Sequence, residues 1–224
     1  MLYILTTATP RNKLHEECCM IFVSKLVKLK EVTWIINIDV PLVLNISDEY
    51  INMCVSKLKK IDTFKTIINV NKTNPSFSNA GKYLIQKSYN LYKQTDIILW
   101  LEDDWCLSEN MFNDFLVKYN EFEKNKAYNY LLLTDIFYPS GQPFIFKGQI
   151  LKQLYNCYKN NENIDPELAI FKTVHKLSGL GKTKQSKLCL RIPIFYDKGR
   201  EWRKFMNIEK TDKRKGNTRW FINK

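Results

Sequence analysis

Asp96-Ile97-Ile98-Leu99-Trp100-Leu101-Glu102-Asp103-Asp104-Trp105 is the stretch that decides the fold of this 224-residue chain. A short, fully apolar run bounded by polar residues reads as a buried strand. Strands apolar on both faces belong to parallel sheets covered by helices on each side. Three adjacent carboxylates then stand at the carboxyl end of that strand. In open α/β sheets that edge is where ligands bind. Carboxylates held close together repel one another, and a bound cation removes that cost. Carboxylate oxygens completed by phosphate and water suit Mg²⁺ or Mn²⁺. Such a metal neutralises a leaving diphosphate. The competing reading is an exposed acidic turn; Trp105 and the apolar run flank the acids on both sides and weigh against it.

Upstream of this stretch, strand and helix alternate. Leu2-Tyr3-Ile4-Leu5 reads as a buried strand feeding the polar loop Thr6-Thr7-Ala8-Thr9-Pro10-Arg11. His15 to Lys30 has helical spacing at Cys19, Phe22, Val23, Leu26 and Val27. Val32 to Val40 is a strand with Asp39 at its end, Glu49 to Lys60 a helix, and Thr66 to Val70 a strand. Asn79 to Gln94 is an amphipathic helix. Downstream, a helix is predicted over Ser108 to Asn125 with Ser108 as its cap, then strands over Tyr130 to Thr134 and Phe144 to Phe146. Helices over Gln149 to Lys159 and Pro166 to Lys176 follow, and a strand over Leu188 to Phe195. The alternation predicts β-α-β units and an α/β fold: a mixed, mostly parallel, Rossmann-like sheet with helices on both faces. No internal repeat or low-complexity segment interrupts it.

Composition bounds the answer. Hydrophobic residues at 45% and aromatics at 13% argue against disorder. A net charge of +12 calls for an anionic partner, whether nucleic acid, a phosphate-bearing ligand or an acidic membrane surface, or else marks a solvated lysine-rich face. The segment from Asp197 to Lys224 is markedly basic. Cys18, Cys19, Cys54, Cys106, Cys157 and Cys189 contain no CxxC pair and there are only two histidines, so a zinc site is not expected. Scattered cysteines fit a reducing compartment. Leu2 to Ala8 is too short for a signal peptide, and no apolar run of about 18 residues is present. The expectation is a cytoplasmic protein without a transmembrane segment. In that setting the sequons at Asn45 and Asn71 carry no sugar. Abundant Lys, Asn and Ile suggest an AT-rich genome.

The order of elements resembles that of glycosyltransferases of the GT-A fold, closely over residues 1 to 150 and loosely beyond. The resemblance implies one GT-A-like domain over 1–224, with 1–107 as the nucleotide-sugar-binding half and 108–224 as the acceptor half with its basic C-terminal segment. It implies transfer of a sugar from a nucleotide-sugar, with uridine diphosphate as carrier, to a hydroxyl of a glycan, glycoprotein or other acceptor. In such enzymes the loop after the first strand touches the nucleotide, which carries over to Thr6, Thr7, Ala8, Thr9 and Arg11. Asp39 matches the acid near the base or ribose, and Asn79-Ala80-Gly81-Lys82 matches a helix start that supplies contacts through Asn79 and Lys82. The family's DxD motif falls on Glu102-Asp103-Asp104, with Glu in place of the first Asp. That departure leaves Asp104 the safer direct ligand of Mn²⁺ or Mg²⁺, with Glu102 beside it and Asp103 toward the nucleotide. Asp197-Lys198-Gly199-Arg200-Glu201-Trp202-Arg203 is similar to a C-terminal motif of small viral and bacterial sugar transferases. It would bring Arg200 or Arg203 to the diphosphate, and a host cell infected by a large virus becomes one setting for the protein.

An inverting transfer also needs a carboxylate to deprotonate the acceptor hydroxyl. The resemblance points to Asp165 and Glu167 at a helix start, with Asp135 as second choice and Ser140-Gly141-Gln142-Pro143 as acceptor loop. Asp165 before Pro166 is equally a good N-cap, and Glu167 suits any first helical turn. Trp105 is the aromatic best placed to stack on a ring, although most large aromatics are core.

Other signals are weaker. Gly181-Lys182-Thr183 ends like a P-loop, but Lys176 stands where the first glycine is required. His175 and His15 read as surface residues. Two alternative functions stay open at the level of sequence. Metal-dependent nucleotidyl transfer uses a similar fold, but wants a glycine-rich loop after the first strand, and Thr6 to Arg11 has none. A non-catalytic nucleic-acid-binding protein fits the charge, but no helix-turn-helix, zinc finger or RNA-binding motif is present, and clustered acids repel phosphate.

Overall fold

The computed structural model describes residues 1–10, 19–41, 45–107, 111–126, 128–133, 143–160, 169–170, 173, 189–191, 195–197, 208–210 and 220–222. Strand β1 (Leu2–Ala8) is followed by α1 (Cys19–Leu26), β2 (Val32–Asp39), α2 (Asp48–Lys59), β3 (Lys65–Asn71), α3 (Phe77–Tyr89) and β4 (Ile97–Trp100). Then come β5 (Trp105–Leu107), α4 (Phe112–Lys124), β6 (Tyr130–Leu132), β7 (Phe144–Lys147) and α5 (Gly148–Asn160). Short strands β8 (Cys189–Arg191), β9 (Phe195–Asp197), β10 (Ile208–Lys210) and β11 (Trp220–Ile222) complete the described elements.

The main sheet runs β3-β2-β1-β4-β7-β6-β8. Its first four strands are parallel, β7 is antiparallel to both β4 and β6, and β6 is parallel to β8. The mixed, mostly parallel sheet expected from sequence is therefore present. β1 is flanked by β2 on one side and β4 on the other, so the chain reverses its direction of travel across the sheet there. Such a reversal opens a crevice at the carboxyl ends of the strands.

Period-two alternation divides the strand residues between two cores. Ile4, Trp34, Ile36, Leu99 and Ile145 face α1, α2 and α4, whose Phe22, Leu58, Phe115 and Phe122 complete one layer. Tyr3, Leu5, Ile35, Ile98, Trp100 and Phe146 face α3 and α5, whose Leu84, Ile85, Leu151 and Leu154 complete the other. Both faces of β1, β2 and β4 are buried throughout, which is why their sequences are mostly apolar, with polar residues gathered toward the carboxyl ends of β1 and β2.

Helix boundaries follow from caps. Ser47 accepts the Tyr50 N–H at 3.3 Å to start α2, and Ser76 accepts the Asn79 N–H at 3.2 Å to start α3. α3 ends earlier than its amphipathic pattern predicts, because the Leu91 and Tyr92 N–H groups both turn back to the Ser88 carbonyl. The expected cap at Ser108 is replaced. α4 begins at Phe112 with Met111 in the cap position and no side-chain cap bond, since the preceding residues 105–107 are spent on β5. The predicted strand over Leu188 to Phe195 becomes two strands in different sheets, β8 beside β6 and β9 beside β5. Pro193 lies between them, and proline cannot donate to a ladder. The helix predicted over Pro166 to Lys176 lies largely outside the described residues.

The cysteine reading also needs correction. Cys106 is disulfide-bonded, whereas Cys19, Cys54 and Cys157 keep their thiols outside any disulfide. Folding brings a second cysteine to Cys106 that spacing along the chain does not reveal, so cysteine usage no longer argues for a reducing compartment. Among the described residues no helix is long and apolar enough to cross a membrane.

Gly148, at the junction of β7 and α5, fixes how that helix leaves the sheet. Its N–H donates to the Asp96 carbonyl at 2.8 Å, and a Cβ there would stand 2.7 Å from the Lys93 carbonyl oxygen and 3.1 Å from that of Asp96. Those are backbone atoms of the turn leading into β4 and cannot step aside cheaply. Gly148→Ala is expected to destabilise the protein by roughly 1–3 kcal/mol, read as a lower denaturant midpoint at unchanged slope.

Candidate active site at the carboxyl edge of the sheet

β1 and β4 are fastened together past their last paired residues. Leu101 N–H donates to the Leu5 carbonyl at 2.9 Å and Asp103 N–H to the Thr7 carbonyl at 3.1 Å. The Asp103 carboxylate returns the contact, its Oδ2 accepting the Thr9 N–H at 3.0 Å. The loop after β1 and the acidic turn after β4 thus form one unit at the reversal point. Asp103 and Asp104 are buried at 2% and 5% exposure, and Glu102 is half-buried. Both aspartates are therefore held inside the crevice; they are not an exposed acidic turn.

The three acids are not equivalent. Asp103 turns toward β1, its Oδ2 accepting the Thr9 N–H. Among the described residues no group of three His, Cys, Asp or Glu side chains forms a metal cluster. Asp104 and Glu102 are the residues of this turn that could hold a divalent cation whose other ligands come from a diphosphate and water. An all-oxygen set of that kind fits Mg²⁺ or Mn²⁺.

The segment expected as a loop from Thr6 starts inside β1, which runs on through Thr6 and Thr7 to Ala8, and its side chains divide in the same way. Thr6 is fully buried, and its Oγ1 accepts the Trp34 indole N–H at 2.9 Å on the α1 side of the sheet. That hydroxyl is spent in the core. Thr7, Ala8 and Thr9 lie at the edge with 9%, 5% and 4% exposure. Trp105 also belongs to the core, packed with Leu101 and Phe115, and is not presented for stacking. Trp105 opens β5, which pairs with β9, and stands opposite Asp197.

A polar strip that sequence reading missed runs beside Thr7. The register aligns Thr7 with Asn37 and Asn37 with Asn69, then Asp39 with Asn71. Asn69 Nδ2 donates to Asn37 Oδ1 at 2.6 Å, and Asn37 Nδ2 donates to Asp39 Oδ1 at 3.0 Å. Asn71 Nδ2 donates to the same Asp39 oxygen at 3.1 Å and to the Asn74 carbonyl at 2.9 Å. Asn79 joins from α3, its Nδ2 donating to the Asn74 carbonyl at 3.0 Å, so it braces the loop after β3. The signal was present in the sequence: Asn37-Ile38-Asp39 and Asn69-Val70-Asn71 end two strands with the same polar spacing of two.

Asp39 has its carboxyl pushed up to about 7. Burial is the main cause; the hydrogen bonds from Asn37, Asn71 and the Ser76 backbone oppose it without cancelling it. Lys82 is half-buried on α3. Arg11, Asp135, Ser140 to Gln142, Asp165, Glu167, His175, Arg200 and Arg203 lie outside the described residues.

No family model and no curated protein sequence matches the chain. Solved structures do. Residues 1–349 of TarS from S. aureus, in complex with UDP-GlcNAc, superpose with a TM-score of 0.53 at 9% identity, covering 87% of this chain and 57% of that one. The mannosyltransferase PcManGT from Pyrobaculum calidifontis, in complex with GDP-Man and Mn²⁺, gives 0.51 at 8% identity, covering 90% and 59%. HddC from Yersinia pseudotuberculosis gives 0.50 at 10% identity, covering 91% and 97%. The chain thus spans just under three-fifths of the first two structures. The likeness is one of fold, and it agrees with the sequence: the chain has the GT-A fold of nucleotide-sugar glycosyltransferases.

Proposed function

We propose that the protein is a metal-dependent glycosyltransferase that moves a sugar from a nucleotide-sugar, with uridine diphosphate as carrier, to a hydroxyl of a glycan or other acceptor. One observation carries the reading. In a GT-A fold, an acidic turn with two buried aspartates is tied through Asp103 to Thr7 and Thr9, at the crevice where the sheet reverses. TarS with UDP-GlcNAc and PcManGT with GDP-Man and Mn²⁺ support the donor class and the metal.

Within this reading the chain is a single domain, residues 1–107 binding the donor and 108–224 the acceptor. Thr7, Ala8 and Thr9 line the nucleotide, and Arg11 follows them in the same loop. Asp39, steadied by Asn37 and Asn71, meets the base or ribose, with Asn79 bracing its loop and Lys82 close along α3. Asp104 holds Mn²⁺ or Mg²⁺, with Glu102 beside it directly or through water, and Asp103 keeps the turn in register. The metal supplies Lewis-acid neutralisation of the leaving diphosphate. Asp197, at the end of β9, pairs opposite Trp105 next to the turn. Arg200 and Arg203 follow Asp197 by three and six residues in sequence and are proposed to contact the diphosphate. Asp165 or Glu167 is proposed to take the proton of the acceptor hydroxyl.

Titration calorimetry of uridine diphosphate and its sugar conjugates, with and without Mn²⁺, tests the donor site. Wild type should bind only with metal. Asp104→Ala should weaken that binding by about a hundredfold, in line with loss of a charge-assisted contact worth up to about 3 kcal/mol. Asp103→Asn, which still offers an oxygen to the Thr9 N–H, should bind nearly as well as wild type. Absence of binding by any nucleoside diphosphate overturns the proposal and returns the nucleic-acid reading.

Asp39 gives a second test. Its folded-state carboxyl titrates above its unfolded value, so the stability it allows is full at low pH and is lost as pH rises from about 4 to about 7. Asp39→Asn should therefore gain melting temperature relative to wild type across that interval, with a constant difference above it, while nucleotide affinity falls. Parallel melting curves of the two proteins over this pH range read the effect.

A further inference from the structure

The opposite edge of the sheet, where the parallel strands begin, carries a second surface that the proposed transfer does not use. α1 and α2 both end there, and between them lies an open cleft of about 620 Å³. Its walls include Lys28, Lys57 and Lys60, with Asp62 as the acid among them, and Met20, Val27 and Ile61 form an apolar lining. Lys59 at the end of α2 and Lys65 at the start of β3 are exposed, as is Glu31 just before β2. Among the described residues no ion pair joins Lys28 or Lys60 to an acid. Two large apolar side chains stand exposed at the same edge: Leu29, just before β2, at 56%, and Phe64, just before β3, at 64%. Adjacent strands lie about 4.8 Å apart, and Lys65 is aligned with Thr33, so Leu29 and Phe64 leave neighbouring strand starts.

We propose that this edge docks the protein on an anionic lipid bilayer, the lysine-lined cleft taking phosphate-bearing headgroups while Leu29 and Phe64 enter the interface beside it. Helix C-termini attract a few lysines through the dipole, but that does not account for two exposed apolar side chains among them. Lysines around protruding apolar groups match an anionic interface, which offers charge at its surface and hydrocarbon just beneath. An acidic polypeptide would answer the lysines alone. Asp103 hydrogen-bonds Thr7, which the register sets beside Asn37, five residues along β2 from Val32, or about 17 Å at 3.3 Å per residue. A protein seated in this way holds its acidic turn that far from the headgroups, open to acceptors that project from the membrane or diffuse past it. The inference stands on the surface itself and does not require the donor reading.

Co-sedimentation with two kinds of vesicle tests it: phosphatidylcholine alone, and phosphatidylcholine with about 30 mol% phosphatidylserine, at about 0.15 M salt. Wild type should pellet with the anionic vesicles and not with the neutral ones. Lys28→Glu with Lys60→Glu should lower binding at least tenfold, and Leu29→Ser with Phe64→Ser several-fold. Both variants should melt like wild type and bind nucleotide as wild type does, since these residues are exposed and remote from the acidic turn. Equal pelleting with neutral vesicles, or none with either, overturns the proposal. So does charge reversal without effect, which would move the contact to the basic C-terminal segment. Capture of polyglutamate but not vesicles overturns it in favour of an acidic protein partner.

Discussion

The pairing of Asp103 with the loop after β1 is the constraint on which the rest of the site depends. Two parallel strands that end side by side diverge into loops unless something joins them. Here the Asp103 N–H reaches the Thr7 carbonyl and its carboxylate accepts the Thr9 N–H, so the join runs in both directions. A carboxylate accepting a backbone N–H is a strong, charge-assisted bond, and burial strengthens it further. By spending one acid on architecture, the chain fixes the backbone of the turn that carries the next residue, Asp104.

The strip Asn69-Asn37-Asp39-Asn71 solves a different problem. A carboxyl group withdrawn from water is destabilised in its charged form. Amide donors from two strands meet one oxygen of Asp39, which limits the cost without removing it. The same amides leave little freedom for the side chain to rotate. Rigidity and incomplete compensation go together, as is common where a group is held ready for a ligand rather than for the fold.

Much of this was legible in the sequence, for identifiable reasons. The expectation of a mostly parallel sheet held because β2 and β4 are buried on both faces, as strands covered by helices on each side are. The acidic turn was found because charge directly after such a strand is rare and conspicuous. Asp39 was found for the same reason. Its partners Asn37, Asn69 and Asn71 were not, because neutral amides inside strands look like weak strand formers until register aligns them. Thr6 and Trp105 were assigned to the ligand by position. Which face a side chain takes at the end of a strand depends on the pleat, and both fall on the core side. The pairing of β5 with β9 and the bond at Cys106 join segments distant in the chain and have no local signature. Arg200, Arg203, Asp165 and Glu167 rest on sequence resemblance alone.

The place of β7 in the sheet has a consequence for how the chain is made. β4 has β1 on one side and β7 on the other, and β7 is encoded 47 residues after Trp100, counting to Lys147. At synthesis rates of about 5–20 residues per second, the most apolar strand of the protein waits roughly 2–10 s for its second neighbour. During that interval its free edge can accept a strand from another nascent chain. The acidic residues directly after it, charged and hydrated until the crevice closes over them, then act as a guard against such pairing. Carboxylates that end up buried in the finished crevice would keep the unfinished sheet from aggregating.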